Sequence, residues 1–200
     1  MLRLGAAWDD EPALAAAWRA ARPFPHLVID GALAEAAVAE LLAVVDEEPV
    51  WPYEADLFAF EATAPAPTTA ELRALVAAWS AALTPRLARI TGAAIGRADL
   101  RAYAYRPGHY LLPHTDHQAG LDRVLAFAYY LPSPEPPRGG ELELYRCEVA
   151  ADELVVTEPA AMIAPAPNRL VVFAVGAASL HQVREVEDGL RLSLAGWFYP

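Results

Sequence analysis

From residue 98 to its end the chain is cut into short apolar segments, and this spacing limits the fold more than any other feature. Candidate strands fall at 99–106, 110–114, 123–131, 141–146, 153–157, 168–174, 180–186 and 190–198, punctuated by Gly, Pro and Asn. Eight short strands at this interval predict a sandwich, barrel or jelly roll. RVLAFAYYL and NRLVVFAV are nearly unbroken apolar runs, as central strands covered on both faces require. PSPEPPRGG (132–140) reads as a connection between strands.

The preceding half has a different period. Residues 9–21 (DDEPALAAAWRAA) predict a short helix, with acidic residues and Pro12 in the first turn, where the macrodipole and the missing N–H favour them. FPHLVID, 24–30, predicts a strand. Residues 33–48 predict a helix, with apolar side chains at 38, 41, 42 and 45. Residues 70–91 predict a longer one, N-capped by Thr69, kinked at Pro85 and closed by Gly92. Between these helices, 50–69 reads as an irregular crossing anchored by Trp51, Tyr53, Phe58 and Phe60, a place for a lid or binding loop. The expected class is α+β, mainly β. One domain spans 1–200, with a helical part to about residue 97 packed on one sheet of a β-core from about 98.

A net charge of −11 repels phosphate backbones and argues against nucleic acid. No apolar run approaches the roughly 20 residues of a membrane span. Asp9, Asp10 and Glu11 stand where a signal peptide would be apolar, and the single Cys147 permits no internal disulfide. A cytoplasmic location is expected. All basic residues are arginine, so each functional arginine has to be argued from its position.

The segment RAYAYRPGHYLLPHTD (101–116) reads as a strand, a Pro-Gly turn and a return strand ending in His114-Thr115-Asp116. Strand side chains alternate faces, so His114 and Asp116 point the same way, their Cα atoms roughly 6.5 Å apart. With His181 in SLHQV they would form a two-His, one-carboxylate set, which suits Fe(II). Arg191 follows on the next strand, after a turn at 187–189, where antiparallel pairing would give it an inward face in common with His181. Its neighbours are apolar, and a buried guanidinium needs an anion. Its planar fork suits a dicarboxylate cosubstrate, to which Ser193 on the same face could add a hydrogen bond.

His114-Thr115-Asp116, His181 and Arg191-Leu192-Ser193 resemble the H-x-D…H…R-x-S pattern of Fe(II)/2-oxoglutarate dioxygenases. AYRPGHYLLPHTD, AFAYYLP, GGELELY and RLVVFAVGAASLHQV resemble, in order, four segments of the prolyl 4-hydroxylase-like branch. FPHLVID, DLFAFEAT and a helix ending in ITG extend the likeness to the catalytic domain of ribosomal-protein prolyl hydroxylases, over about 24–198. The resemblance implies a double-stranded β-helix (jelly roll, cupin-like). It implies Fe(II) on His114, Asp116 and His181, with 2-oxoglutarate as cosubstrate, O2, and ascorbate as an optional reductant. It assigns Arg191 and Tyr130 to the distal carboxylate of 2-oxoglutarate, Tyr105 to the cosubstrate pocket, and Trp197 and Val183 to its lining. The implied reaction is hydroxylation of a prolyl or other amino-acid residue in a protein or peptide, releasing succinate and CO2.

Those ribosomal-protein enzymes carry a second β-helix domain that these 200 residues lack, so their substrate does not carry over. Two further readings remain open on the sequence: a biosynthetic oxygenase of a free amino acid or small metabolite, and a non-catalytic cupin-like binding domain. Oligomeric state is left open. Of the other histidines, His117 is expected on the face opposite Asp116, His109 in a solvated turn, and His26 in packing.

Overall fold

A computed structural model describes residues 2–150 and 153–200. After a 3-10 turn at Ala6–Trp8 come α1 (Glu11–Ala20), β1 (His26–Asp30), α2 (Glu35–Asp46), β2 (Val50–Ala55), β3 (Phe58–Thr63) and α3 (Ala70–Thr91). The β-rich part follows: β4 (Arg97–Ala98), β5 (Arg101–Tyr105), β6 (Tyr110–His114), β7 (Leu125–Tyr130), β8 (Arg138–Gly139), β9 (Leu142–Ala150) and β10 (Glu153–Ile163). It ends with β11 (Arg169–Ala174), β12 (His181–Val183), β13 (Val186–Asp188) and β14 (Arg191–Tyr199).

The helices begin and end where their caps dictate. Asp10 accepts from the Ala13 N–H at α1, and the Thr69 hydroxyl accepts from the Leu72 N–H at α3. Gly92, at φ 74°, closes α3 in the left-handed conformation. Glu48 reinforces the α3 start: its buried carboxylate accepts from the Thr69 hydroxyl (2.6 Å) and from the Thr68 and Thr69 N–H groups.

Twelve strands form one curled antiparallel sheet with a jelly-roll core, in the order β1-β11-β7-β14-β5-β3-β6-β12-β9-β10, with β2 paired to β3 and β4 to β14. Alternation sorts its side chains into two layers. On β7, Leu125, Phe127 and Tyr129 join Trp79, Leu83 and Leu87 of α3 in the larger core, while Ala126, Ala128 and Tyr130 face the interior of the curl. On β14, Leu194 and Phe198 face the helices, which leaves Arg191, Ser193, Ala195 and Trp197 for the other side. The helices thus cover one face of the sheet, and the curl encloses the other.

Three expectations about connectivity are corrected. Residues 50–63 are not an irregular crossing but the β2–β3 hairpin, turned at Asp56-Leu57. The alternation in FAFEAT is a strand signal that the flanking prolines masked. Moreover, β5 and β6 do not pair as a hairpin, because β3 lies between them, joining Ala62 to Tyr103 and Phe58 to Leu111.

The third correction concerns β12 and β14, which do not pair either. β12 pairs with β6 and β9, β14 with β5 and β7. The segment between them forms its own two-stranded sheet, with Val186 opposite Gly139. Gly139, at φ 81°, lets the chain press against the Glu185 carbonyl with no room for a Cβ, and this contact draws 186–188 away from β14.

Candidate active site

The curl opens on a cavity of about 430 Å³. β6 and β12 supply one wall of it, β5 and β14 the facing wall. His114 and His181 are directly opposed across the β6–β12 ladder, their ring centroids 4.3 Å apart. Asp116, just past the end of β6, folds back over them: its carboxylate oxygens lie 3.9 Å from His114 Nε2 and 3.6 Å from His181 Nε2. One ligand atom from each residue lies within 4.8 Å of the others, the spacing of a group able to hold one metal ion.

The local backbone aims both rings. His114 Nδ1 is 2.9 Å from the Leu112 carbonyl and His181 Nδ1 is 3.0 Å from the Ser179 carbonyl. A carbonyl only accepts, so Nδ1–H donates in each ring and the Nε2 lone pair is left facing Asp116. Burial, and then the neighbouring His114 ring, lower the pKa of His181 to about 4, against the opposing pull of Asp116. At neutral pH the ring is therefore an uncharged donor of the kind a metal ion takes. Phe173 packs edge-on against it, with centroids 4.6 Å apart.

Arg191 stands on the facing wall and is 3% exposed. Its Nη1 donates to Ser193 Oγ at 3.1 Å, and its Nε has no hydrogen-bond partner among the described residues. No carboxylate of the described residues is within ion-pair distance of it. Its guanidinium carbon lies 4.7 Å from the centre of the Tyr105 ring and 5.0 Å from that of Tyr130. Both phenols are buried, and burial raises the pKa of Tyr105 well above the usual tyrosine range. Among the described residues the Tyr130 hydroxyl has no partner either. A buried cation beside an unpaired hydroxyl, with no internal anion, is the complement of an incoming carboxylate.

The structure brings His114, Asp116, His181, Arg191, Tyr105, Ser193, Trp197 and Val183 to the lining of one cavity, while Tyr130 lies behind it, against Arg191. Sequence reasoning did not single out several of the other lining residues, among them Phe173, Arg101 and Arg123. Phe173 was hidden in an apolar run. Arg101 and Arg123 were hidden among arginines that had no individual signal. Arg123 stacks over the Trp197 ring at 3.6 Å and reaches the Asp116 carboxylate at 3.9 Å. His117 is exposed, and His109, in its turn, is half-buried.

The family model of the 2OG-Fe(II) oxygenase superfamily matches residues 100–199, half of the chain. The chain belongs to this superfamily. This superfamily depends on Fe(II), 2-oxoglutarate and O2, and the His114, Asp116 and His181 group is one able to hold the metal ion. It is 38% identical over 104 residues to the mouse prolyl 3-hydroxylase OGFOD1, across 50% of this chain and 18% of that protein. The chain therefore spans less than a fifth of that relative. Its fold matches a Pseudomonas putida prolyl-4-hydroxylase at a TM-score of 0.66 and 22% identity, over 93% of this chain and 98% of the other. It also matches SnoN, an α-ketoglutarate-dependent epimerase of nogalamycin biosynthesis, at a TM-score of 0.69 and 17% identity, over 95% of this chain and 82% of that one. No helix is long and apolar enough to cross a membrane.

Proposed function

We propose that residues 1–200 form a hydroxylase domain acting on a prolyl or other amino-acid residue in a protein or peptide. We assign Fe(II) to His114, Asp116 and His181, and 2-oxoglutarate to Arg191. The observation that carries this reading is the meeting, in one cavity, of a tautomer-fixed His-Asp-His group and a buried arginine without an internal anion. The donor set fits the ion: two neutral imidazoles and a carboxylate suit Fe(II), and the free Cys147 does not line the cavity.

When bound, Fe(II) with 2-oxoglutarate and O2 supplies the oxidising power that replaces a substrate C–H by C–OH, with succinate and CO2 as coproducts. The chain supplies position and environment. Arg191 and Ser193 fix the distal carboxylate of the cosubstrate, and Tyr105 and Tyr130 wall the guanidinium from water. Leu142, Val183 and Phe173 present apolar surface to the reacting region. The identity shared with the prolyl 3-hydroxylase favours a prolyl substrate. The fold alone does not choose one, because it is equally that of a biosynthetic enzyme, and a free amino acid or small metabolite is the second reading.

Anaerobic addition of Fe(II) and 2-oxoglutarate should give a weak visible charge-transfer band, absent in His181→Ala. On admission of O2, prolyl peptides should stimulate succinate release with a 16 Da gain on the peptide, the mass of one oxygen atom. A wild-type protein with no band would refute the metal and cosubstrate assignment. A band with oxidation of free amino acids only would favour the second reading.

A further inference from the structure

The side chains of β5 and β14 that face the cavity form a ladder. Tyr105 stands opposite Arg191, Tyr103 opposite Ser193, and Arg101 opposite Ala195. At strand rise, two two-residue steps separate the first rung from the third by roughly 13 Å. The ladder therefore carries a cation at each end, Arg191 at one and Arg101 at the other, and both line the same cavity.

Arg101 is held in place by the protein but pairs with no carboxylate of the described residues. Its Nε donates to the Thr63 carbonyl at 2.9 Å and its Nη2 donates to the same oxygen. Its guanidinium carbon lies 4.9 Å from the centre of the Tyr53 ring and 5.4 Å from that of Tyr103. Nη1 makes no hydrogen bond to the described residues. The nearby acids are otherwise engaged. Asp99 accepts from the Trp197 N–H (2.9 Å) and the Tyr199 hydroxyl (2.7 Å), Glu61 pairs with Arg106, and Asp116 belongs to the metal group. Across the ladder Ala195 leaves space where a larger residue would fill it. A fixed fork, two flanking rings, a free edge and an open facing position are the parts of a carboxylate receptor.

We infer that Arg101 is a specificity-determining residue that binds a carboxylate of the substrate, at the opposite end of the cavity from the carboxylate of 2-oxoglutarate. The inference rests on the reading of this cavity as a hydroxylase site. It names the substrate class as one that bears an anionic group beside the oxidised residue. The carboxylate has two sources: an acidic side chain flanking a peptidyl proline, or the α-carboxylate of a free amino acid.

The test uses two isosteric pairs: an N-acetylated prolyl peptide with Asp or Asn next to the proline, and L-proline against L-prolinamide. Calorimetric binding is measured with the protein loaded anaerobically with Fe(II) and 2-oxoglutarate, and again unloaded. The carboxylate member of one pair should bind about tenfold more tightly, the margin of a charge-assisted over a neutral hydrogen bond. In Arg101→Gln that ratio should fall to within about twofold. Ala195→Asp, which supplies an internal partner across the ladder, should abolish it in the same way and guards against misfolding of the first variant. A purely structural Arg101 would change stability and leave the ratio where it was. Preference in the peptide pair identifies a flanking acid; preference in the proline pair identifies a free amino acid. A ratio near one for both pairs, or one unchanged in the variants, overturns the inference. Loss of the charge-transfer band alone would instead count against the metal assignment, because Thr63 and two rings hold Arg101 without the metal.

Discussion

Gly140 backs directly onto Arg191: a Cβ at Gly140 would stand 2.9 Å from Arg191 Cδ and 2.9 Å from Val186 Cγ2. The paired glycines of GGELELY therefore shape the cosubstrate end of the cavity. Gly140→Ala should displace the arginine and strain a backbone at φ 72°. The Michaelis constant for 2-oxoglutarate should rise about tenfold, with kcat lowered far less, and the melting temperature should fall by several degrees. Steady-state kinetics at varied cosubstrate concentration, with calorimetry, check both.

Arg191→Ala removes the buried cation and leaves the distal carboxylate without a partner. The requirement for 2-oxoglutarate should rise roughly 100-fold, on the scale of a lost charge-assisted pair. Arg191→Lys should recover only part of the loss, because an ammonium lacks the planar fork. Succinate release against 2-oxoglutarate concentration measures this, and unchanged saturation would remove Arg191 from the role proposed for it.

Asn168 links three elements of the fold. At φ 57° it accepts from the Leu33 N–H, donates to the Leu33 carbonyl and accepts from the Tyr129 hydroxyl, all buried. Asn168→Ala should lower the unfolding free energy by about 3 kcal/mol, through unsatisfied buried groups and a left-handed alanine. Denaturant titration measures it. The charge-transfer band should persist in the folded fraction.

Acid sensitivity should have a component at Glu48. Burial acts to raise its pKa, but the hydrogen bonds from Thr69 and Thr68 outweigh that and leave it below 4.5. A carboxylate with a depressed folded-state pKa stabilises the protein above its unfolded pKa and loses that contribution as pH falls through the folded value. Wild type should therefore lose stability below about pH 4.5 in part through this group. Glu48→Gln should be less stable at neutral pH, by an amount that narrows as the solution is acidified. Thermal melts across pH 3–7 test the convergence, with the range set by ordinary carboxylate titration.

The fold class was legible because period and punctuation agree. The caps at Thr69 and Gly92 and most strands of the C-terminal half lie where their residues predict them, but 180–186 divides into β12 and the start of β13, and the short β4 and β8 were not foreseen. β3 was not legible, because prolines flank its hairpin and two of its three pairing partners, β5 and β6, lie beyond α3. The relation of His181 to Arg191 was also misjudged: the two share a cavity from opposite walls and not from adjacent strands. Among the lining residues, those with a motif around them could be named in advance. Arg101 and Arg123 could not, since their meaning lies in what faces them across the sheet.

The place of β3 between β5 and β6 governs how this enzyme can be recombined with its relatives. The two walls that follow one another in the chain are held apart by a strand's width on either side, about 4.8 Å each, by a segment from upstream of α3. That spacer sets the bore of the cavity. A chimera that exchanges residues 98–200 alone would seat a foreign barrel on a native spacer, with mismatched side chains at Phe58, Phe60 and Ala62. Crossovers placed ahead of Val50 keep spacer and walls together, and with them the bond from the Leu112 N–H to the Leu57 carbonyl that ties the β2–β3 turn to β6.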